Sequence, residues 1–177
     1  MSLPMLFPGK MRRVQCVIYT CTHFERCPLP TSTRFVLAIH VLASLAVTGG
    51  GPMRSEDLAF SVNTNAAFIR SLLSRLQEAG LTTSQMGTGG GALLAKPAEK
   101  IRLLDVYRAV EDSEVFAFHR QGPNESCVVG KNIQAAIRPS LDQATAALER
   151  QLASVTVADI AQEVARLGKF TIPWNGC

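Results

Sequence analysis

Apolar residues recur along this chain in groups whose spacing names the element each belongs to. Phe68, Ile69, Leu72, Leu73 and Leu76 keep the i, i+1, i+4, i+5, i+8 rhythm of one buried helix face. The opposite face carries Arg70, Ser71, Ser74 and Arg75, short polar and cationic groups suited to a nucleic-acid edge. Gly80 stops that helix, because glycine accepts the left-handed conformation other residues resist. Short apolar runs at residues 81–83 and 92–95 read as strands around a glycine-rich tip at 87–91.

Upstream, Ser55 reads as a cap, with Glu56 and Asp57 in a first turn where negative charge complements the helix dipole. Leu58, Ala59 and Phe60 give that short helix its apolar side, and residues 61–64 make a polar turn. Asn65 caps the next helix by accepting from an unpaired backbone N–H. Helix, turn, amphipathic helix and glycine-tipped hairpin together predict a winged helix-turn-helix. An ordinary helical hairpin inside another domain is the plainer alternative.

Residues 35–47 are apolar around most of the circumference apart from His40, which predicts a helix buried on several sides, between the domain core and a dimer partner. Ile133, Ile137, Leu141, Ala144, Leu148 and Leu152 form a stripe suited to a partner helix over residues 133–154. Pro139 falls inside it and should kink the helix or mark its true start. A last helix, 157–167, aligns Val157, Ile160, Ala161, Val164 and Leu167. The fold class expected is mainly α with a small β-hairpin wing.

The segment from Arg70 to Glu111 closely resembles the Rrf2 family of winged-helix repressors, the group that includes IscR, NsrR and CymR. The shared features are Ala79-Gly80-Leu81, the run Gly87-Thr88-Gly89-Gly90-Gly91, Leu94-Ala95-Lys96-Pro97 and the helix Leu104-Asp105-Val106-Tyr107-Arg108-Ala109-Val110-Glu111. The likeness runs from about Leu29 to Leu167. It implies an extension at 1–28 and a winged helix-turn-helix domain at 29–111. It further implies a connector at 112–132 and a long dimerisation helix with last helix and tail at 133–177.

Length and composition fit this picture. A chain of 177 residues with 47% hydrophobic side chains has enough apolar material for one ordinary core. No apolar stretch reaches the roughly 18–20 residues needed to span a bilayer, so no membrane partner is expected. The net charge of +4 resides in the first 34 residues, where Lys10, Arg12, Arg13, Arg26 and Arg34 face only Glu25. The rest of the chain is balanced, so affinity for DNA must come from a local cluster.

The N-terminal segment lacks the apolar core and small-residue cleavage site of a signal peptide. Its Cys16, Cys21 and Cys27, with His23 between, are either idle thiols on an extension or ligands for zinc or an iron–sulfur cluster. An odd total of five cysteines without an export signal points to a reducing cytoplasm.

The resemblance also bears on cofactors. Cluster-binding relatives place three cysteines in the connector, whereas residues 112–131 hold only Cys127. His119 and Glu114 do not restore a soft-ligand set, and Gly130 occupies the place where a histidine ligand can sit. No cofactor is expected. Cys127-Val128-Val129-Gly130 instead resembles the single-cysteine branch. Three readings stay open: a redox- or electrophile-sensing thiol activated by a helix N-terminus and Lys131, a small packing residue, or a connector that binds a metabolite. Trp174 and Cys177 in the tail have no assigned role.

In such proteins the first turn of the second helix faces the major groove. Asn65 and Arg70 can bond base edges or phosphates, Ala67 offers a methyl contact, and Phe68 faces the core by its spacing. Thr64, Ser71, Ser74 and Arg75 are candidate phosphate partners. Where relatives place an arginine before the glycine run, this chain has Met86, preceded by Gln85. Thr88, Gly89 and Gly90 then offer close backbone approach to phosphates. No nucleotide-binding glycine motif follows a strand, and no base is placed by motif beside Cys127, so an enzyme is not expected. The function implied is a sequence-specific DNA-binding regulator, a repressor. It acts as a homodimer on a palindromic operator, with an oxidant or small-molecule inducer. The alternative is a regulator acting mainly through another protein.

Overall fold

The computed structural model describes residues 33–111, 115–118 and 121–174. Expectations for Cys16, Cys21, Cys27, His23, Glu114, His119 and Cys177 therefore lie outside the described residues. In chain order these residues form α1 (Arg34–Val47), α2 (Ser55–Val62), α3 (Ala66–Glu78), β1 (Thr82–Gln85) and β2 (Gly91–Leu94). After a 3-10 turn at Ala98–Lys100 come α4 (Leu103–Val110), α5 (Val128–Ser154) and α6 (Val157–Gly168). The core gathers Leu42 and Leu45 of α1, Leu58 of α2, Ile69 and Leu76 of α3, Val106 and Val110 of α4, and Val157 of α6, all essentially solvent-free.

Local chemistry fixes α3 at both ends. The Asn65 carboxamide oxygen accepts from the Phe68 N–H at 2.7 Å, as a cap should. At the other end Gly80 adopts φ +68°, and the Leu81 N–H reaches back to the Leu76 carbonyl at 2.8 Å. With the Gly80 N–H on the Gln77 carbonyl at 2.9 Å, this is a Schellman stop that drives Leu81 into the core. Phe68 packs against that core.

The wing is an antiparallel hairpin registered Thr82 to Leu94 and Gln85 to Gly91. Met53 adds an isolated bridge to Ala92, with backbone bonds of 3.0 and 2.7 Å. Two of the glycines are explained by that packing alone. A Cβ on Gly91 would overlap the Met53 carbonyl, and one on Gly90 would overlap that of Gln85.

α4 is launched by Asp105, whose carboxylate accepts the Arg102 N–H at 3.1 Å. The Leu103 and Val157 N–H groups donate to Val155 and Ile101 at 2.9 Å each, which pins the α5–α6 junction to the start of α4. α6 carries its own box, with Thr156 and Asp159 each accepting the other's backbone N–H.

Several expectations need correction. Ser55 does not cap α2: Arg54 occupies the cap position without a side-chain bond, and Ser55 is the first helical residue. Phe60 does not pack but stands 86% exposed, because the buried side of this two-turn helix is already filled by Leu58 and Ala59. The strands lie at 82–85 and 91–94, pulled toward the tip by their mutual pairing. α5 starts five residues before the stripe, at Val128, and runs without a break through Pro139, which neither ends nor begins it. α6 buries Val157, Ala158, Ala161 and Ala165, so its small residues face α1 while Val164 and Leu167 look outward. Trp174 gains a place: its ring stacks on Phe170 at 5.0 Å, and its backbone N–H donates to the Val47 carbonyl at 2.8 Å.

Candidate nucleic-acid interface

Because α3 buries Ile69, Leu72 and Leu76, its other side is turned out. Asn65, Ala67, Arg70, Ser71 and Ser74 are exposed there, and Thr64 is half-buried at the turn. The Asn65 oxygen is engaged in the cap, which leaves its NH2 end for a base or phosphate. The Ser74 hydroxyl rests on Glu78 at 3.4 Å. Arg75 is placed differently from the rest: it is half-buried and points toward α4, donating to the Val110 carbonyl at 3.5 Å. The spacing of α3 puts it next to Leu72 and Leu76 on the edge of the buried face, so its long stem lies over the core.

Arg70 is held. Its Nε donates to the Ser55 hydroxyl at 3.2 Å and its Nη2 to the Glu56 carboxylate at 2.5 Å. Glu56 in turn is kept below the usual carboxylate range, first by its own backbone N–H in the opening turn of α2 and then by the Arg70 guanidinium. Both side chains remain 59% exposed, so the pair contributes little to stability. Spacing alone gave no sign of it, since the partners lie 14 residues apart. The helix-turn-helix crossing of α2 over α3 is what brings them together.

Between α3 and the wing lies a shallow polar groove of about 320 Å3, lined by Ser55, Arg70, Ser74, Gln77, Ser84 and Gln85 among others. Gln77 and Ser84, which the sequence did not single out, bridge it with a 3.2 Å hydrogen bond. Met86 at the hairpin tip is 94% exposed, with Gln85, Thr88 and Gly89 exposed beside it and Gly90 half-buried. α3 and the wing thus line one groove with small polar groups and Arg70.

The connector has its own geometry. Cys127 is an exposed free thiol at the N-cap of α5. Its pKa is lowered by the backbone N–H of Gly130 and then that of Val129, both in the first turn of α5. Asn124 shapes this end of the helix: its side chain accepts the Ser126 N–H at 2.9 Å and its carbonyl the Cys127 N–H at 3.1 Å. A Cβ on Gly130 would overlap that same carbonyl, which accounts for glycine there. Farther along α5 a cleft of about 430 Å3 opens toward α4, with Tyr107, Phe116, Phe118, Arg138, Leu141 and Thr145 in its walls. The Arg138 guanidinium lies 4.7 Å from the centre of the Phe118 ring.

The comparisons with known proteins agree with this architecture. The family described as "Rrf2: Iron-dependent Transcriptional regulator" matches residues 31–163. YwnA of Bacillus subtilis, named provisionally as an HTH-type transcriptional regulator, is 39% identical over 73% of this chain and 95% of its own. The HTH-type transcriptional regulator IscR of Cereibacter sphaeroides is 31% identical over 60% of this chain and 69% of its own. Among solved structures, IscR of T. potens superposes with a TM-score of 0.55 at 26% identity, covering 78% of this chain and 90% of that one. CymR, the global cysteine regulator of B. subtilis, has the same fold, with a TM-score of 0.59 at 24% identity over 77% and 98% of the two chains.

The family description names iron, and the described residues do not fit a soft-ligand cluster. Soft iron–sulfur ligation needs several thiolates. Residues 112–131 offer Cys127 alone, and among the described residues no three of His, Cys, Asp and Glu gather into a metal-sized group. No helix of the described residues is long and apolar enough to cross a membrane. With its family match over most of its length and the winged fold of its relatives, the chain belongs to the Rrf2 family, whose members are DNA-binding transcriptional regulators and not enzymes.

Proposed function

We propose that this regulator is a homodimeric repressor that reads a palindromic operator with the outer face of α3 and loses it when Cys127 is modified. The observation that carries the reading is a pair of uncovered faces. One is the polar side of α3 around Arg70. The other is α5, a helix of 27 residues with none buried in the single chain. Ile133 and Ile137 stand 38% and 42% exposed along its stripe, which suits a second copy related by a twofold axis.

Cys127 sits between these faces, on the segment that joins the winged unit to α5. Its lowered pKa favours the thiolate, which attacks peroxide, breaks the O–O bond and leaves Cys–SOH with release of hydroxide. The added bulk and polarity at the N-cap of α5 would shift the separation of the two α3 helices, provided the two states differ in their tolerance of it.

A gel shift with DNA upstream of the protein's own gene, at fixed and stated salt, tests the reading. The reduced protein should shift that DNA in preference to an unrelated fragment, and peroxide or diamide should abolish the shift until dithiothreitol is added. Cys127→Ser should bind and ignore the oxidant. The cleft beside Tyr107, Phe118 and Arg138 favours a second reading, in which a small metabolite is the inducer. A parental response to oxidant in Cys127→Ser would support it. Absence of any preferential shift at low salt would point instead to a regulator that works through another protein.

A further inference from the structure

We infer that Glu56, with Ser55, is a specificity-determining positioning residue: it aims Arg70 at a guanine of the operator. This rests on the proposed DNA reading by α3 and goes beyond it by naming the base and the residue that selects it. An arginine has two hydrogen-bonding edges. Here Nε and Nη2 form the side edge, and both are engaged, on Ser55 at 3.2 Å and on Glu56 at 2.5 Å. The end edge, Nη1 with the second Nη2 hydrogen, makes no bond among the described residues. That free edge presents two parallel donors that match guanine O6 and N7 in the major groove, a bidentate match which no other base offers.

The arrangement does two things that an unheld arginine does not. A free arginine samples many rotamers, all of which are lost on binding, whereas the Ser55–Glu56 clamp removes that freedom beforehand. The clamp also sets a penalty. If Arg70 leaves to follow a phosphate, the Glu56 carboxylate is left bare at a surface that meets the polyanion. Glu56 is kept ionised by its own backbone N–H as well as by Arg70, so that charge persists when the partner departs. Pairing with guanine satisfies all three residues, and pairing with a phosphate or an adenine does not. The first-turn acid that looks like a helix-dipole partner is therefore a reader at one remove.

The test uses the full chain and an operator duplex defined by footprinting, with each base pair of the half-site substituted in turn. The parent should prefer guanine at one position by about 5- to 150-fold, the range a good bidentate contact provides. Glu56→Ala should bind the operator more weakly yet bind random DNA as well as or better than the parent. Its preference at that position should shrink to a few-fold, and its melting temperature should be unchanged. Glu56→Gln, which keeps an acceptor, should retain part of the preference. Arg70→Ala should bind all DNA more weakly than the double variant Arg70→Ala/Glu56→Ala, because only the single variant leaves the bare carboxylate. Full guanine preference in Glu56→Ala, or equal binding by the single and double variants, would overturn the positioning role. A parent that prefers no sequence would overturn the DNA reading itself.

Discussion

The backbone N–H of Gly130, in the first turn of α5, is the largest influence lowering the pKa of Cys127 at the N-cap. Glycine is required there because the Asn124 carbonyl fills the space a side chain would take. The consequence is a thiol that ionises below its ordinary value. The rate of alkylation by iodoacetamide, followed against pH, should rise through a midpoint below that value. The sign follows from the N–H groups: they stabilise the anion, so the thiolate persists as pH falls and is lost only below the depressed pKa. Gly130→Ala should open the turn, move the midpoint back up and slow alkylation at pH 7. An unshifted midpoint in that variant would mean that the helix terminus does not activate the thiol.

α5 should fail as a dimer element when its stripe is made polar. Ile133 and Ile137 would each bury apolar area against the partner, and full burial of such a side chain is worth about 1.5–3 kcal/mol. Only the 42% of Ile137 that is exposed in the single chain is left to bury, so Ile137→Ser should raise the dimer dissociation constant by about three- to eightfold per site, read by light scattering on a dilution series. A parent that is monomeric at all concentrations would refute the interface outright.

The core should respond as a packed interior. Leu58 is fully buried among residues of the winged unit, and Leu58→Ala should destabilise the protein by about 2–5 kcal/mol. Urea melts of parent and variant check this. Phe60→Ser on the same helix is the control: with its ring exposed, it should change stability by less than about 0.5 kcal/mol.

Much of this architecture was readable in the chain, and the exceptions have common causes. α3 and its stop were legible because Asn65, the apolar rhythm and Gly80 all act within a few residues of one another. The same holds for the glycines of the wing. What escaped is what tertiary structure decides. The Arg70–Glu56 pair needs two helices to cross. Arg75 turns to α4 because of a carbonyl 35 residues away. The start of α5 is set by Asn124 and Gly130, which lie outside the apolar stripe. Phe60 looked like core because a two-turn helix offers too few positions for periodicity to separate its faces.

Residues 1–28 carry four basic groups and one acid. Removing them should leave melting temperature and sequence preference intact while flattening the dependence of affinity on salt, since each phosphate contact contributes about 0.9 to the slope of log K against log salt. A truncated chain that no longer folds would assign the segment a structural role.

The twofold reading of DNA by α3 is the centre of this account, and hydroxyl-radical footprinting of the reduced protein on its own upstream region tests it most directly. Two symmetric protected half-sites should appear, with centres about 34–36 Å apart along the duplex or a multiple of that spacing. Arg70→Ala should weaken protection of both by about 1–3 kcal/mol. A single asymmetric footprint occupied by one chain, or protection unaffected by Arg70→Ala, would contradict it.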